Sequence, residues 1–264
     1  MSYTKFVIIS HLRSGTHLLR SLLDSHPGIV CQTEVYNSDS QSLPYPLSTP
    51  TREILDQWVF RKLPAEIRCV GFVLQAYHPR GLKAFPGIRE NSEWSDIWSI
   101  LRDIHDLRII HLERENLLRR HLSHVMAQRT GRWHDWDPDR LAILTHLGQP
   151  FAKRPGRPPR PAVTLEFDRL RLDFEEVEQL HKRVAVQFGD RTYHRVSYEQ
   201  LCADPEYRLA QILEFLSIGG PGDFPLQAAV SKLENRPLET SIENYDELRK
   251  AFSGTRWQVF FDDA

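Results

Sequence analysis

Residues 11–20 read HLRSGTHLLR, and they stand where an apolar run, KFVIIS at 5–10, gives way to leucines at 18, 19, 22 and 23. A strand handing over to a helix leaves the first N–H groups of that helix without intrahelical acceptors, and the helix dipole adds positive potential there. Such a junction is an anion site. Gly15 lets backbone come close to a ligand, Ser14 and Thr16 add hydroxyl donors, and Arg13 adds a permanent charge with a planar donor fork. The Gly-x-x-x-x-Gly-Lys-Ser/Thr spelling of nucleotide hydrolases is missing, so phosphate chemistry here must work without a Walker lysine. On spacing alone, an ordinary helix N-cap beside a solvated arginine is an equal reading.

A second junction shifts the balance. IIHLERENLLRRHLS, residues 109–123, is again strand, turn and helix, with Arg114 at the strand end and Ser123 nine positions on. The carboxyl ends of strands in a parallel sheet gather on one edge, where ligands bind. Two anion-binding strand ends on that edge suit one ligand with two separate phosphate-type groups.

The elements that must position these residues follow from the hydrophobic pattern. Strands are expected at 5–10, 28–31, 69–74, 107–112 and near 194–197. Helices are expected over 16–25, 52–62, 116–129, about 173–187 and about 205–216, and the tail at 242–261 should add one more helix and an extended end. Short apolar strands alternating with helices predict a three-layer α/β/α fold with a central, mostly parallel sheet. The stretch GQPFAKRPGRPPRP, residues 148–161, holds five prolines, two glycines and four basic residues and reads as a surface loop. At 264 residues one domain covering 1–264 is expected.

Composition narrows the function. Lys+Arg 34 against Asp+Glu 35 gives a net charge of −1, which removes a generally basic nucleic-acid footprint. No apolar run approaches the roughly 20 residues of a membrane-spanning helix, and Phe6–Ile9 is too short for a secretory core. Cys31, Cys69 and Cys202 are scattered, suggesting neither a disulfide framework nor a Cys-x-x-Cys metal site, and a cytoplasmic location is expected. His121 and His124 are spaced i, i+3 but lack a third ligand at suitable spacing, so no metal site is expected.

The segment RSGTHLLRSLLDSHPGIVCQTE, residues 13–34, resembles the Arg-Ser-Gly-Thr-Thr-Leu…Leu-Asp-x-His-Pro…Glu stretch of sulfotransferases that use 3′-phosphoadenosine 5′-phosphosulfate (PAPS), in particular protein-tyrosine and bacterial carbohydrate members. Arg114 with Ser123 resembles that family's 3′-phosphate motif, and VSYEQLCADP, residues 196–205, its Tyr-Glu-Asp-Leu…Asp-Pro segment. The tail from Lys232 to Trp257 is similar more loosely. The resemblance implies a P-loop-like sulfotransferase fold and a division of roles. Arg13, Ser14, Gly15 and Thr16 would hold the 5′-phosphosulfate with His17 as a further donor, and Arg114 and Ser123 the 3′-phosphate. Tyr198 would lie beside the adenine, Lys232 would touch the cofactor, and Glu34 would take the proton of the acceptor. Leu12 stands where many members have proline. The Arg114-to-Ser123 spacing is one residue longer than in cytosolic members, which leaves Arg119 and Arg120 as alternatives. The Arg-Lys-Gly tail pattern of those members is not cleanly present.

These residue types suit sulfuryl transfer, which demands in-line geometry and stabilisation of the charge left behind. Arg13 and helix N–H groups can supply that without a metal, and Glu34 is the general-base candidate. The expected function is transfer of the sulfuryl group of PAPS to a hydroxyl or amine of a small-molecule or carbohydrate acceptor, giving PAP (adenosine 3′,5′-bisphosphate). The alternative is a non-catalytic or kinase-like nucleotide-binding protein of the same fold class. Trp133 is read either as a wall of the acceptor pocket or as a structural aromatic.

Overall fold

In the computed structural model, which describes residues 3–37, 43–76, 94–133, 161–219, 228 and 236–262, the first apolar run is strand β1, Thr4–Ser10. It lies at the centre of a five-stranded parallel sheet of order β2-β3-β1-β4-β5. The other strands are β2 (Ile29–Glu34), β3 (Cys69–Gln75), β4 (Leu107–Glu113) and β5 (Tyr193–Ser197). A central parallel strand is covered on both faces, which is why KFVIIS and CVGFVL read as continuous apolar runs.

The period of two then sorts the side chains. Val7 and Ile9 join Phe72, Leu74 and Ile109 on one face, while Phe6 and Ile8 join Val73, Ile110 and Leu112 on the other. The first face is covered by helix α3 (Ile97–Asp103) and by the C-terminal half of helix α5 (Phe167–Phe188), through Trp98, Leu101, Leu180, Val184 and Phe188. Helix α2 (Thr51–Ile54), which continues as a π-helical turn over Leu55–Val59, packs on the same side. The second face is covered by α1 (Thr16–Asp24), α6 (Tyr198–Ala203) and α7 (Pro205–Phe215). The result is the expected three-layer α/β/α fold.

A third cluster unites α4 (Leu117–Thr130), the first half of α5, and the short C-terminal helices α8 (Leu238–Ser241) and α9 (Tyr245–Ala251). It corrects two expectations. Helix α5 begins at Phe167 rather than near 173, because Leu170, Phe174 and Val177 already bury one helical stripe against this cluster. The chain end is not extended. It forms a 3-10 turn over Gln258–Phe261, where Trp257 and Phe261 pack around Phe252. Strand β2 also runs past Cys31 to Glu34. The proline-rich stretch lies outside the described residues up to Pro161.

Candidate active site

All five strands contribute residues at their carboxyl ends: Ser10 to Arg13 after β1, Glu34 on β2, Gln75 on β3, Glu113 and Arg114 on β4, and Ser197 and Tyr198 on β5. The order places β1 between β3 and β4, so chain connections leave the tips of β1 and β4 in opposite directions. That divergence opens the crevice in which parallel sheets bind ligands.

The first tip is a tight backbone turn. Arg13 has φ 67° and Gly15 φ 87°, both left-handed, and Ser14 N–H donates to the His11 carbonyl at 3.2 Å. Only glycine suits position 15 on a second ground: a Cβ there would sit 2.1 Å from Cδ2 of Tyr198. Helix α1 starts immediately afterwards, with Gly15 as its N-cap residue. Ser14 Oγ is fully buried with no hydrogen-bond partner. An orphaned buried hydroxyl on a nine-residue helix N-terminus is what an anionic ligand would satisfy.

The second tip meets the first directly. Arg114 Nη1 donates to the Arg13 carbonyl at 3.2 Å, and Arg13 Nε donates to Ser123 Oγ at 3.0 Å. Arg13 Nη1 also donates to the Trp133 carbonyl at 2.5 Å, which brings the segment after α4 to the loop. The Arg114 guanidinium lies 4.9 Å from the centre of the Tyr198 ring, so Tyr198 touches both tips. Burial lowers the pKa of Arg114, opposed by Tyr198 and by Glu199, whose Oε1 is 3.9 Å from Arg114 Nε. Nε itself makes no hydrogen bond. A buried cation in that state favours a further anion. Glu199 serves mainly the backbone, accepting from the N–H groups of Glu115 (2.9 Å) and Asn116 (3.2 Å).

The substitutes for Arg114 are otherwise engaged. Arg120 is buried and pairs with Asp173 of α5, to which His121 Nδ1 also approaches at 3.0 Å. Its Nη1 lies 3.3 Å from His11 Nδ1, supporting the first loop from below. Asp173 is held well below the usual carboxylate range by Arg120 and His121, against its burial. Arg119 donates to the Arg236 carbonyl at 3.4 Å.

Glu34 stands at a register shift between Gln32 and Glu34, a bulge at the carboxyl end of β2. Its Oε2 accepts from Asn37 Nδ2 and its Oε1 from Gln75 Nε2, each at 2.9 Å. His17, expected at the phosphosulfate, has its Nε2 3.6 Å from Glu34 Oε1. The first turn of α1 carries its side chain toward β2. The Thr16 hydroxyl likewise turns inward, 2.9 Å from Ser10 Oγ and 3.3 Å from Gln75 Nε2. The structure therefore gathers Arg13, Ser14, Gly15, Thr16, Arg114, Ser123 and Tyr198 around one crevice, with Glu34 and His17 at its β2 side. Lys232 lies outside the described residues.

Sequence reasoning missed Gln75 and the chain Tyr193–His111–His181 beside β4. His111 Nδ1 is 2.5 Å from the Tyr193 hydroxyl, and its Nε2 is 2.9 Å from His181 Nδ1. Burial lowers the pKa of His111 to about 2 and of His181 to about 3, so both rings are neutral. With Glu113 they bring three possible metal ligands within 4.8 Å of one another; both His111 nitrogens and His181 Nδ1 serve hydrogen bonds, His181 Nε2 has no partner, and Glu113 Oε2 is paired with Arg195 at 2.5 Å.

No protein-family model matches the sequence. Two solved structures align over nearly the whole chain at 17% identity: a sulfotransferase from Alicyclobacillus acidocaldarius, with a TM-score of 0.48, and the sulfotransferase domain of the Synechococcus PCC 7002 olefin synthase, with 0.41. Among curated proteins, nodulation protein H of Rhizobium tropici is 30% identical over 98% of this chain and 94% of its own length. Nodulation protein H of Rhizobium meliloti is 27% identical over 97% of this chain and 94% of its own. With that identity sustained from end to end, this chain belongs to the nodulation protein H family.

Proposed function

We propose that this chain is a sulfotransferase, that its sulfuryl donor is PAPS and that the acceptor is a hydroxyl or amine of a small molecule or carbohydrate. The observation that carries the donor assignment is the meeting of the two strand tips, with Arg114 bonded to the Arg13 carbonyl and Arg13 bonded to Ser123. Two anion-binding junctions in contact match a nucleotide with phosphates at both its 5′ and 3′ positions. The residues present fit that group: the orphaned Ser14 hydroxyl, the α1 N-terminus and Arg13 for the 5′ end, Arg114 and Ser123 for the 3′-phosphate, and Tyr198 for the base.

PAPS supplies an activated sulfuryl group whose leaving partner is a phosphate. Arg13 and the first N–H groups of α1 take up the charge left on that phosphate, a stabilisation worth most in a partly buried site. Glu34 takes the proton of the acceptor as the acceptor atom bonds to sulfur. Two amide donors on its oxygens favour its ionised, proton-accepting form. Such a weak base acts late, once the acceptor atom has begun to carry positive charge. The three cysteines are free thiols, Cys31 and Cys69 buried and Cys31 pushed up by burial, which supports a reducing, cytoplasmic setting.

The test is Glu34→Gln in a PAPS turnover assay against alcohol, amine, phenol and sugar acceptors. Turnover should fall at least about a hundredfold, the scale of a general base, with PAP affinity kept. Unchanged turnover would remove Glu34 from the mechanism.

A further inference from the structure

Strand β3 reads CVGFVLQ, six apolar or small residues and then a glutamine, and that glutamine is only 2% exposed. A buried primary amide must find partners for both ends. Gln75 finds them on three other elements. Its Oε1 accepts from Ser10 Oγ of β1 at 3.2 Å, and its Nε2 donates to Thr16 Oγ1 of α1 at 3.3 Å and to Glu34 Oε1 of β2 at 2.9 Å. The orientation of the amide is fixed by chemistry, since only the NH2 group can face a carboxylate oxygen at that distance.

We propose that Gln75 is a positioning residue for the transfer reaction: it fixes the Glu34 carboxylate and couples it to the first helical residue of the phosphate loop. This rests on the reading of Glu34 as the base. The two carboxylate oxygens are gripped from different directions, Oε2 by Asn37 from the following turn and Oε1 by Gln75 from the neighbouring strand. Asn37 is three residues away and moves with Glu34; Gln75 does not. It alone of the two refers the carboxylate to β1 and α1, through the Ser10–Thr16 contact of 2.9 Å. His17 of α1, a titratable side chain, faces the same Oε1 at 3.6 Å. A displacement of about 1 Å at a catalytic group can cost about a hundredfold in rate, so a tether across three elements is a kinetic device as well as a satisfied amide.

The test uses two substitutions in the full chain, Gln75→Leu and the isosteric Gln75→Glu, each measured for melting temperature, PAP affinity and the pH dependence of kcat/KM. Losing a donor to the ionised carboxylate should lower kcat at least about tenfold and move the acid limb upward by about one pH unit. Gln75→Glu keeps the packing but sets two carboxylates side by side, so its acid limb should move further. PAP affinity should change less than about threefold. In a Glu34→Gln background Gln75→Leu should cost nothing more, because the two residues act through one group. An acid limb unmoved in both variants, or full additivity with Glu34→Gln, would overturn the proposal. If Glu34→Gln itself retains turnover, the base assignment has failed instead, and that single variant distinguishes the two cases. Should Gln75→Leu not fold, Gln75→Glu carries the test alone.

Discussion

Acidification should strike this fold early, and at the strand tips that form the site. His11, His111 and His181 are buried and neutral: burial pushes His11 well below the ordinary histidine range, His111 to about 2 and His181 to about 3. Below pH 6.5 the unfolded chain binds a proton at each of these positions and the folded chain does not. A histidine whose folded pKa is depressed therefore contributes stability that is present above pH 6.5 and is lost as pH falls below it. The loss is about 1.4 kcal/mol per pH unit per group. At pH 5, 1.5 units below the unfolded value, His111 and His181 alone remove roughly 4 kcal/mol, with His11 acting in the same direction. Glu176, pushed up to about 7, and Glu113, also raised by burial, act oppositely between about pH 4.5 and 7. Glu176 is half-buried and so partly screened by solvent, and Glu113 is paired with Arg195, so they offset only part of the loss. A net decrease of several kcal/mol between pH 7.5 and 5 is a large share of a typical stability of about 5–15 kcal/mol. Urea unfolding at pH 7.5, 6.5, 5.5 and 5.0 should show the midpoint falling steeply below 6.5 with the slope m unchanged. A midpoint flat across that range would mean that these rings are charged or solvated in the folded protein, and the reasoning would fail.

Two further substitutions probe the supports of the site. Gly15→Ala places a Cβ against Tyr198 at a left-handed position, costing about 1–2 kcal/mol in backbone strain alone; PAP affinity measured by calorimetry should fall at least about tenfold. Asp173→Asn strands the buried Arg120 without its carboxylate, and urea unfolding at pH 7.5 should show a loss of about 3–5 kcal/mol.

The sheet was legible because parallel strands covered on both faces leave unbroken apolar runs, and KFVIIS, CVGFVL and LRIIHL all became strands. Where an element buries only part of itself, boundaries drifted. The polar end of β2, Gln32 to Glu34, gave no strand signal, because edge pairing and a bulge place it there. The charged start of α5 hid the buried stripe Leu170–Phe174–Val177. Of the site candidates, Arg13, Gly15, Arg114, Ser123 and Tyr198 belong to local patterns, and the structure brings them together. Gln75 belongs to none: its meaning comes from partners some 40 to 65 residues away, and its one signal is a lone amide ending an apolar strand. His17 shows the reverse limit, for its place at the helix start was plain while its direction, toward Glu34, was set by the tertiary path of β2.

The central claim is that two converging strand tips hold the two phosphates of one nucleotide. Calorimetric titration of PAP and of adenosine 5′-phosphate into the wild-type chain and into Arg114→Ala tests it directly. The account predicts one PAP per chain, bound at least about a hundredfold more tightly than adenosine 5′-phosphate, as two charge-assisted hydrogen bonds to the 3′-phosphate would give. Arg114→Ala should erase most of that preference while binding adenosine 5′-phosphate as before. A wild-type chain that binds neither ligand, or a preference that survives the loss of Arg114, would contradict it.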